Sequence, residues 1–554
     1  MPEIPSQPDA PIANDEALEV ALAIDAGDVE PQAAPRPETR GAGISNRAVF
    51  TAMATLVSRG TNTFLLILLT PFLFGGLGER FYGIYQLTQR MSQFGGFASL
   101  GATSYLKIRL AEMYADQNVF ERRKAIGECL LQWAALLPVL VVWTTVLYLL
   151  ISGRTAVSGG DAIAVIVLIV LTPLTQLLSV GNVALFTHHL GYLGVPLWTG
   201  IGVCASAGAA AAAYAGYGIQ GVAFAFAVGT LLNGVSSIVL AKKMLPWFGV
   251  EWPVWREFVA NFGMSLGASL ASVVYLGLNQ LESLVFGLGA GPVMLARLSL
   301  TIIGFQCFDL LVRSFQGVGA YALAPMVRDR QAGPLGSLRG EAQGNIIFLF
   351  AVVGPPIIAV TPVVIPIWIK HAVLLSPWVA AAILMTSMLR LLAMFDAALL
   401  DQARDFRWKT VIAAVVVFLP SVALGFLVYL NVAPEGWYWF LPAFMATYYT
   451  LIVRRCARIL SVRTALTALA IPVLGILATS LVVSSLVASH SGFFAFAAAA
   501  VGSSVLCAAA SLVHPQLARS VRKLTARLWR AARTVIEKVR GRHGRRAGAA
   551  VPHE

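Results

Sequence analysis

Apolar residues run along this chain in long unbroken blocks separated by short polar breaks, not in the strict alternation of a half-buried strand. A helix that crosses a bilayer needs about 20 such residues. Runs of that kind predict fourteen spans, at roughly 48–75, 81–106, 129–152, 162–182, 194–215, 219–240, 258–287, 293–321, 345–369, 375–400, 411–431, 437–453, 466–488 and 491–513. The breaks are too short to hold an inserted soluble domain. Two segments depart from the pattern. Residues 1–43 mix proline, alanine and acids with neither the basic leader nor the apolar stretch of a signal peptide, and are expected to be a disordered cytoplasmic tail. Beyond His514, apolar residues from Leu517 and Val521 to Ile536 and Val539 recur at three- and four-residue steps, with Arg519, Arg522, Lys523, Arg527 and Arg530 among those between them. That spacing predicts, over 515–554, a basic amphipathic helix lying on an anionic membrane leaflet.

Composition gives the same solvent: of 554 residues, 58% are hydrophobic and 12% charged, where a soluble domain has about 25% charged. Mean hydropathy is +0.75. A net charge of +13 raises nucleic acid as a partner, but residues 1–43 carry −7 and residues 515–554 carry +9, so the excess is local to a tail and no nucleic acid is expected. Basic residues stay cytoplasmic. With the N-terminus inside, 32 of the 40 Lys and Arg lie on the inner side and only Arg80, Arg154 and Lys370 on the outer. The reading is a multi-pass protein of a bacterial inner membrane with both termini cytoplasmic and an even number of spans. Five scattered cysteines without a CxxC read as packing residues, so no metal is expected. The phosphate-cradling GxxxxGK[ST] pattern is missing, and no cofactor or nucleotide hydrolysis is expected.

The remaining charges lie where charge is expensive, within the spans: Arg59, Arg90, Arg297, Arg313 and Arg390, with Glu282, Asp309 and Asp396. An ionisable residue inside a bilayer marks a functional site by default. The five arginines exceed the three acids, so the interior favours an anionic ligand. Arg59 and Arg90 share spans 1 to 6 with no intramembrane carboxylate, and each either faces a hydrated cavity or snorkels to the surface. Asp309 and Arg313, four residues apart, suit an ion pair on one helix face. Arg390 and Asp396, six apart, do not. Glu282 either pairs with Arg297 across a short turn or takes a coupling proton or sodium ion, and Asp309 and Asp396 are further candidates for cation coupling. Residues 71–87 and 283–298 echo one another, with Phe74-Gly75 answering Phe286-Gly287, which suggests two parallel six-span repeats.

Gly78-Glu79-Arg80-Phe81-Tyr82-Gly83-Ile84-Tyr85 resembles the junction between the first two spans of polysaccharide flippases of the multidrug/oligosaccharidyl-lipid/polysaccharide (MOP) exporter superfamily. Leu100-Gly101-Ala102 with Arg109 to Glu112, Glu282 to Gly287 and Ala324 to Arg328 resemble further patterns of that family, although Ser99 stands where the family has Asp. The resemblance, over roughly 44–490, implies an all-α polytopic fold of about 14 transmembrane helices. Spans 1–6 would form one lobe over 44–245, spans 7–12 a second over 257–457, and 464–514 two extra helices. It implies alternating access that carries a polyprenyl-pyrophosphate oligosaccharide from the cytoplasmic to the periplasmic leaflet, for an O-antigen, lipopolysaccharide or exopolysaccharide. Arg59 and Arg90, and Arg313 or Arg297, lie in the spans whose arginines hold the pyrophosphate; Arg390 is a further substrate candidate. A polysaccharide polymerase and assembly proteins are the expected partners.

Two rivals follow from the same residues. A cation-coupled multidrug exporter of this fold would want carboxylates in its first lobe, where the sequence offers arginines. A membrane glycosyltransferase or polymerase would want a large outer loop, and no outer loop exceeds about ten residues. His188 and His189 read as surface residues. The chain is therefore expected to be a transporter and not an enzyme.

Overall fold

A computed structural model of the chain describes residues 38–93, 102–113, 118–155, 157–188, 190–256, 285–306, 332–370, 372–402, 438–460, 466–489 and 492–515, with single positions or short runs between and beyond them such as Asp309, Val312, Trp408 and 517–519. Every regular element among the described residues is helical. Nine stretches of helix there are long and apolar enough to cross a membrane, judged by length and composition. Most of the expected spans 258–287 and 411–431, and the part of 293–321 after Val312, fall outside the described residues.

The first half starts with α1 (Glu38–Gln93), which takes in both the first and second expected spans. It starts inside what the sequence marks as the disordered tail; residues 1–37 lie outside the described set. Two helical arms meet at Gly78, whose φ of 71° and ψ of 168° suit a residue without a Cβ. Next come α2 (Ala102–Glu112), α3 (Val119–Thr155), α4 (Gly160–Leu178), α5 (Val180–Thr187), α6 (Gly191–Tyr214) and α7 (Gly218–Met244). Asn118 starts α3 as an N-cap, its Oδ1 accepting from the Phe120 and Glu121 amides at 3.1 and 3.4 Å. The helix breaks at Ser179, between α4 and α5, and Ser237 of α7 donates to the Leu178 carbonyl at 3.1 Å. The first arm of α1 packs on α6, with Thr199 donating to Ser58 at 2.7 Å and Gly76 against the Ala213 backbone.

In the second half a short π-helical turn, Val285–Ala290, leads into α8 (Pro292–Thr301). Then follow α9 (Ala332–Trp368), α10 (Pro377–Gln402), α11 (Phe440–Leu460), α12 (Ala470–Ala488) and α13 (Phe493–Val513). The sequence reads Gly354, Pro355 and Pro356 as a place to bend, yet α9 runs unbroken through them and through Pro362 and Pro366. Pro356 brings no N–H to the carbonyl four residues back, and an unmet carbonyl in hydrocarbon costs several kcal/mol. Ser504 of α13 donates to that carbonyl, Val352 O, at 2.9 Å. The two C-terminal helices thus mend the proline-rich helix on which they pack. α10 is the central strut: 89% of its most apolar window is buried, where no other candidate span exceeds 44%.

The amphipathic stripe after His514 begins as expected, but its first residues are taken up by the protein. Leu517 joins the main hydrophobic core, Ala518 and Val521 are buried, and Lys523 Nζ lies 3.0 Å from Glu341 Oε2 on α9. From residue 527 on, the tail lies outside the described residues.

Candidate functional site

The two halves meet at two glycine turns. Gly291, just before α8, has φ 89° and ψ 171°, nearly the conformation of Gly78 between the arms of α1. These are the two junctions paired by the sequence echo, and they pack against each other. A Cβ on Gly83 would strike the Pro292 backbone, so only glycine permits the approach there, while one on Gly287 would meet the end of the Leu87 side chain. Phe74, Tyr82, Tyr85 and Phe226 stack behind it at centroid distances of 5.5, 6.3 and 6.1 Å. Gln86 donates to the Tyr82 hydroxyl at 3.0 Å.

Polar groups bridge this contact. Arg297 Nε of α8 donates to Glu79 Oε1 of α1 at 2.7 Å, and both side chains are about a third exposed. Arg90 Nη2 of α1 donates to Ser299 Oγ of α8 at 3.2 Å. Glu79 is therefore a partner of Arg297; Glu282, the partner expected from sequence, lies outside the described residues. The pair joins the halves because the two junctions face each other, a proximity that sequence spacing within one junction does not reveal.

The arginines lie at successive depths. At 1.5 Å per residue, Arg297 is about 9 Å of helix from Gly291, while Arg90 is about 18 Å and Arg59 about 28 Å from Gly78. Arg90 is half buried and Arg59 exposed. Arg59 shares a helix face with the buried Thr70, since eleven residues make just over three turns. Beside this face, Ile67 of α1, Ile303, Gly304 and α9 residues from Pro356 to Trp368 line an open apolar groove of about 690 Å³ shared by the two halves.

The second half arranges its charges differently. Asp396 of α10 is fully buried and takes Arg339 of α9 in a fork, Nε to Oδ1 at 2.7 Å and Nη2 to Oδ2 at 2.5 Å; Gln343 donates to both oxygens at 3.0 Å. Arg390, on the same helix, lies 3.8 Å from Asp309 and donates to Ser387. α10 is thus tied to its neighbours through both charges that the sequence found six residues apart. The sequence places Arg339 in a cytoplasmic loop because the apolar run starts at 345, but α9 begins at Ala332 and Arg339 is 1% exposed. The expected Asp309–Arg313 pair includes Arg313, which lies outside the described residues.

Three other polar residues are placed differently from the sequence reading. Glu128, treated as a span-end acid, is 2% exposed, and Arg122 is 8% exposed with Nη2 donating to the Met113 carbonyl. His188 is half buried, its ring 4.9 Å from that of Trp247; His189 lies outside the described residues. Among the described residues no three His, Cys, Asp or Glu side chains group as metal ligands.

Two helical halves in contact at their glycine turns, with guanidiniums at that contact, define a polytopic helical fold. No protein-family model matches the chain, and no curated protein does. Among solved structures, the chain is similar to the "Lipid II flippase MurJ, inward closed conformation", with a TM-score of 0.57 at 11% identity over 84% of this chain and 99% of that one. It is also similar to an "Inward-facing conformation of a multidrug resistance MATE family transporter of the MOP superfamily", with a TM-score of 0.51 at 12% identity over 78% of this chain and 99% of that one. The fold is that of MOP-superfamily transporters and flippases, and the chain is a multi-pass membrane protein.

Proposed function

We propose that this protein moves a polyprenyl-pyrophosphate-linked oligosaccharide from the cytoplasmic to the periplasmic leaflet of a bacterial inner membrane, for surface polysaccharide assembly. Both termini are cytoplasmic in this reading. The observation that carries it is the pair Arg90 and Arg297, which bridge the contact between the halves, with the exposed Arg59 on the first arm of α1. Guanidiniums recognise pyrophosphate oxygens in bidentate geometry, and stripping an anion of water needs such compensation. The apolar groove between α1 and α9 offers the lipid chain a place at the same contact, so the headgroup alone must cross. The structural similarity to a lipid II flippase supports a lipid-linked anion.

The closed contact at the junctions suits an inward-facing state with its outer side shut by Glu79–Arg297 and by Gly83 against Pro292. Alternating access would part this contact. The test is the sidedness of a fluorescent polyprenyl-pyrophosphate oligosaccharide in proteoliposomes. Wild type is expected to redistribute it, and Arg59→Ala and Arg90→Ala to lose at least about tenfold in rate, the equivalent of 1.4 kcal/mol. An inert wild type, or arginine variants that match it, overturns the reading and favours export of a cationic drug.

A further inference from the structure

Residues 245–254 leave α7 and cross to the second half, and this segment is held to the first half by its backbone. Arg123 Nε donates to the Trp247 carbonyl at 2.9 Å, and the Glu251 amide donates to the Arg123 carbonyl at 3.2 Å. Gly127 sits so close to Glu251 that a Cβ would meet its carbonyl. Trp247 is buried under the Arg122 guanidinium, 5.5 Å from the ring.

The residues after this clamp point outward. Trp252 and Trp255 are each 66% exposed and Val254 is 64% exposed. They lie between the end of α7 at Met244 and the next expected span at 258–287, where the chain is expected to pass through a membrane surface. An exposed indole pair is ill placed in water, but it suits the headgroup layer, where the ring meets acyl carbons and the N–H meets water or phosphate. Residues 242–257 carry three cations, Lys242, Lys243 and Arg256, all exposed, against the half-exposed Glu251 and against Glu257, which lies outside the described residues. A segment with a net positive charge and two exposed indoles favours a negative headgroup over a zwitterionic one.

We propose that Trp252 and Trp255, with Lys242, Lys243 and Arg256, form a binding site for an anionic phospholipid of the membrane surface at this end of α7. The distribution of basic residues along the chain makes that surface the cytoplasmic one. This site is separate from the arginines between the halves and does not depend on what they carry.

The test uses the full-length protein in nanodiscs of phosphatidylcholine with or without phosphatidylglycerol, with bromine on the chains of one lipid or the other. The protein has 12 tryptophans, so the signal is the difference in quenching between wild type and Trp252→Phe/Trp255→Phe. Brominated phosphatidylglycerol is expected to quench this pair about twofold more than brominated phosphatidylcholine at equal mole fraction, consistent with attraction of anionic lipid to nearby cations. Lys242→Gln/Lys243→Gln/Arg256→Gln is expected to abolish that preference and keep the headgroup-blind part. Native mass spectrometry of unmutated protein gives a variant-free readout, with phosphatidylglycerol retained over phosphatidylcholine. Equal quenching by the two lipids with equal retention overturns the site. So does a pair that neither lipid quenches, which would leave a protein partner for the surface.

Discussion

The guanidiniums in the second half and those at the contact between the halves are chemically the same, yet they are placed for opposite ends. Arg339 is 1% exposed and locked in a fork with the fully buried Asp396; Arg390 is 5% exposed beside Asp309. Arg90 is half buried and donates to a neutral hydroxyl on the other half, Arg59 is exposed, and Arg297 shares a partly exposed carboxylate. A buried fork fixes one arrangement of helices, because parting it strands two charges in a low-dielectric interior. An accessible guanidinium can exchange its partner for a ligand without that penalty. Burial, more than residue type, therefore separates scaffold from site in this membrane protein.

The strongest test of that division is Asp396→Ala, which strands Arg339 and is expected to cost about 3–5 kcal/mol. Reversible unfolding in mixed micelles reads this directly, and Asp396→Leu/Arg339→Met should recover most of the loss because it removes both charges. A stable Asp396→Ala protein that has lost transport would break the comparison and return Asp396 to the role of cation coupling that its sequence position suggests.

Next in size is Gly83→Ala. The added methyl meets the Pro292 backbone, and overpacking of this kind costs about 1–3 kcal/mol. Because the clash exists only where the junctions touch, the cost falls on the closed outer contact. Spin labels on α1 and α8 near the junctions should report longer distances than in wild type while helical content is unchanged. Unchanged distances would mean that the junctions do not set the state.

Arg390→Ala and Arg90→Ala sharpen the comparison because they remove the same group from its two settings. Arg390→Ala is expected to lower stability and to lose transport only in proportion to the protein lost. Arg90→Ala removes, with the rest of the side chain, the hydrogen bond to Ser299, itself worth about 0.5–1.5 kcal/mol, while transport per folded molecule is expected to fall much further. Equal ratios of transport loss to stability loss in the two variants would erase the distinction.

Much of the fold was legible in the sequence because bilayer thickness imposes a length on every apolar run. The matched turns at Gly78 and Gly291 were foreshadowed by the echo between residues 71–87 and 283–298. The partners of the charges were less legible. Arg297 found Glu79 more than two hundred residues away, and Arg339 was hidden because a helix can start well before its apolar run, as α9 does at Ala332. Ion pairing across helices depends on which faces meet, and hydropathy gives spans without their rotations. A signal for Arg339 did exist: Arg339 and Gln343, four apart and continuous with the apolar run, form one polar patch on a helix face.

The smallest effect on stability is expected from Glu79→Gln. A partly exposed ion pair contributes about 0–1 kcal/mol, so unfolding should barely change. The pair nevertheless ties the two halves together, and the same fraction of a kcal/mol acts wholly on the equilibrium between closed and open outer sides. A bias of 1.4 kcal/mol is a tenfold change in that ratio, so a loss of half as much moves it about threefold. Distance distributions between spin labels on α1 and α8 should therefore gain a longer component in Glu79→Gln, and Arg297→Gln should produce the same component. If the two variants differ, with Arg297→Gln also abolishing transport while Glu79→Gln does not, Arg297 serves the ligand as well as the latch. If neither shifts the distribution, packing at Gly83 and Pro292 holds the outer side shut by itself, and the accessible pair contributes nothing to the state of the protein.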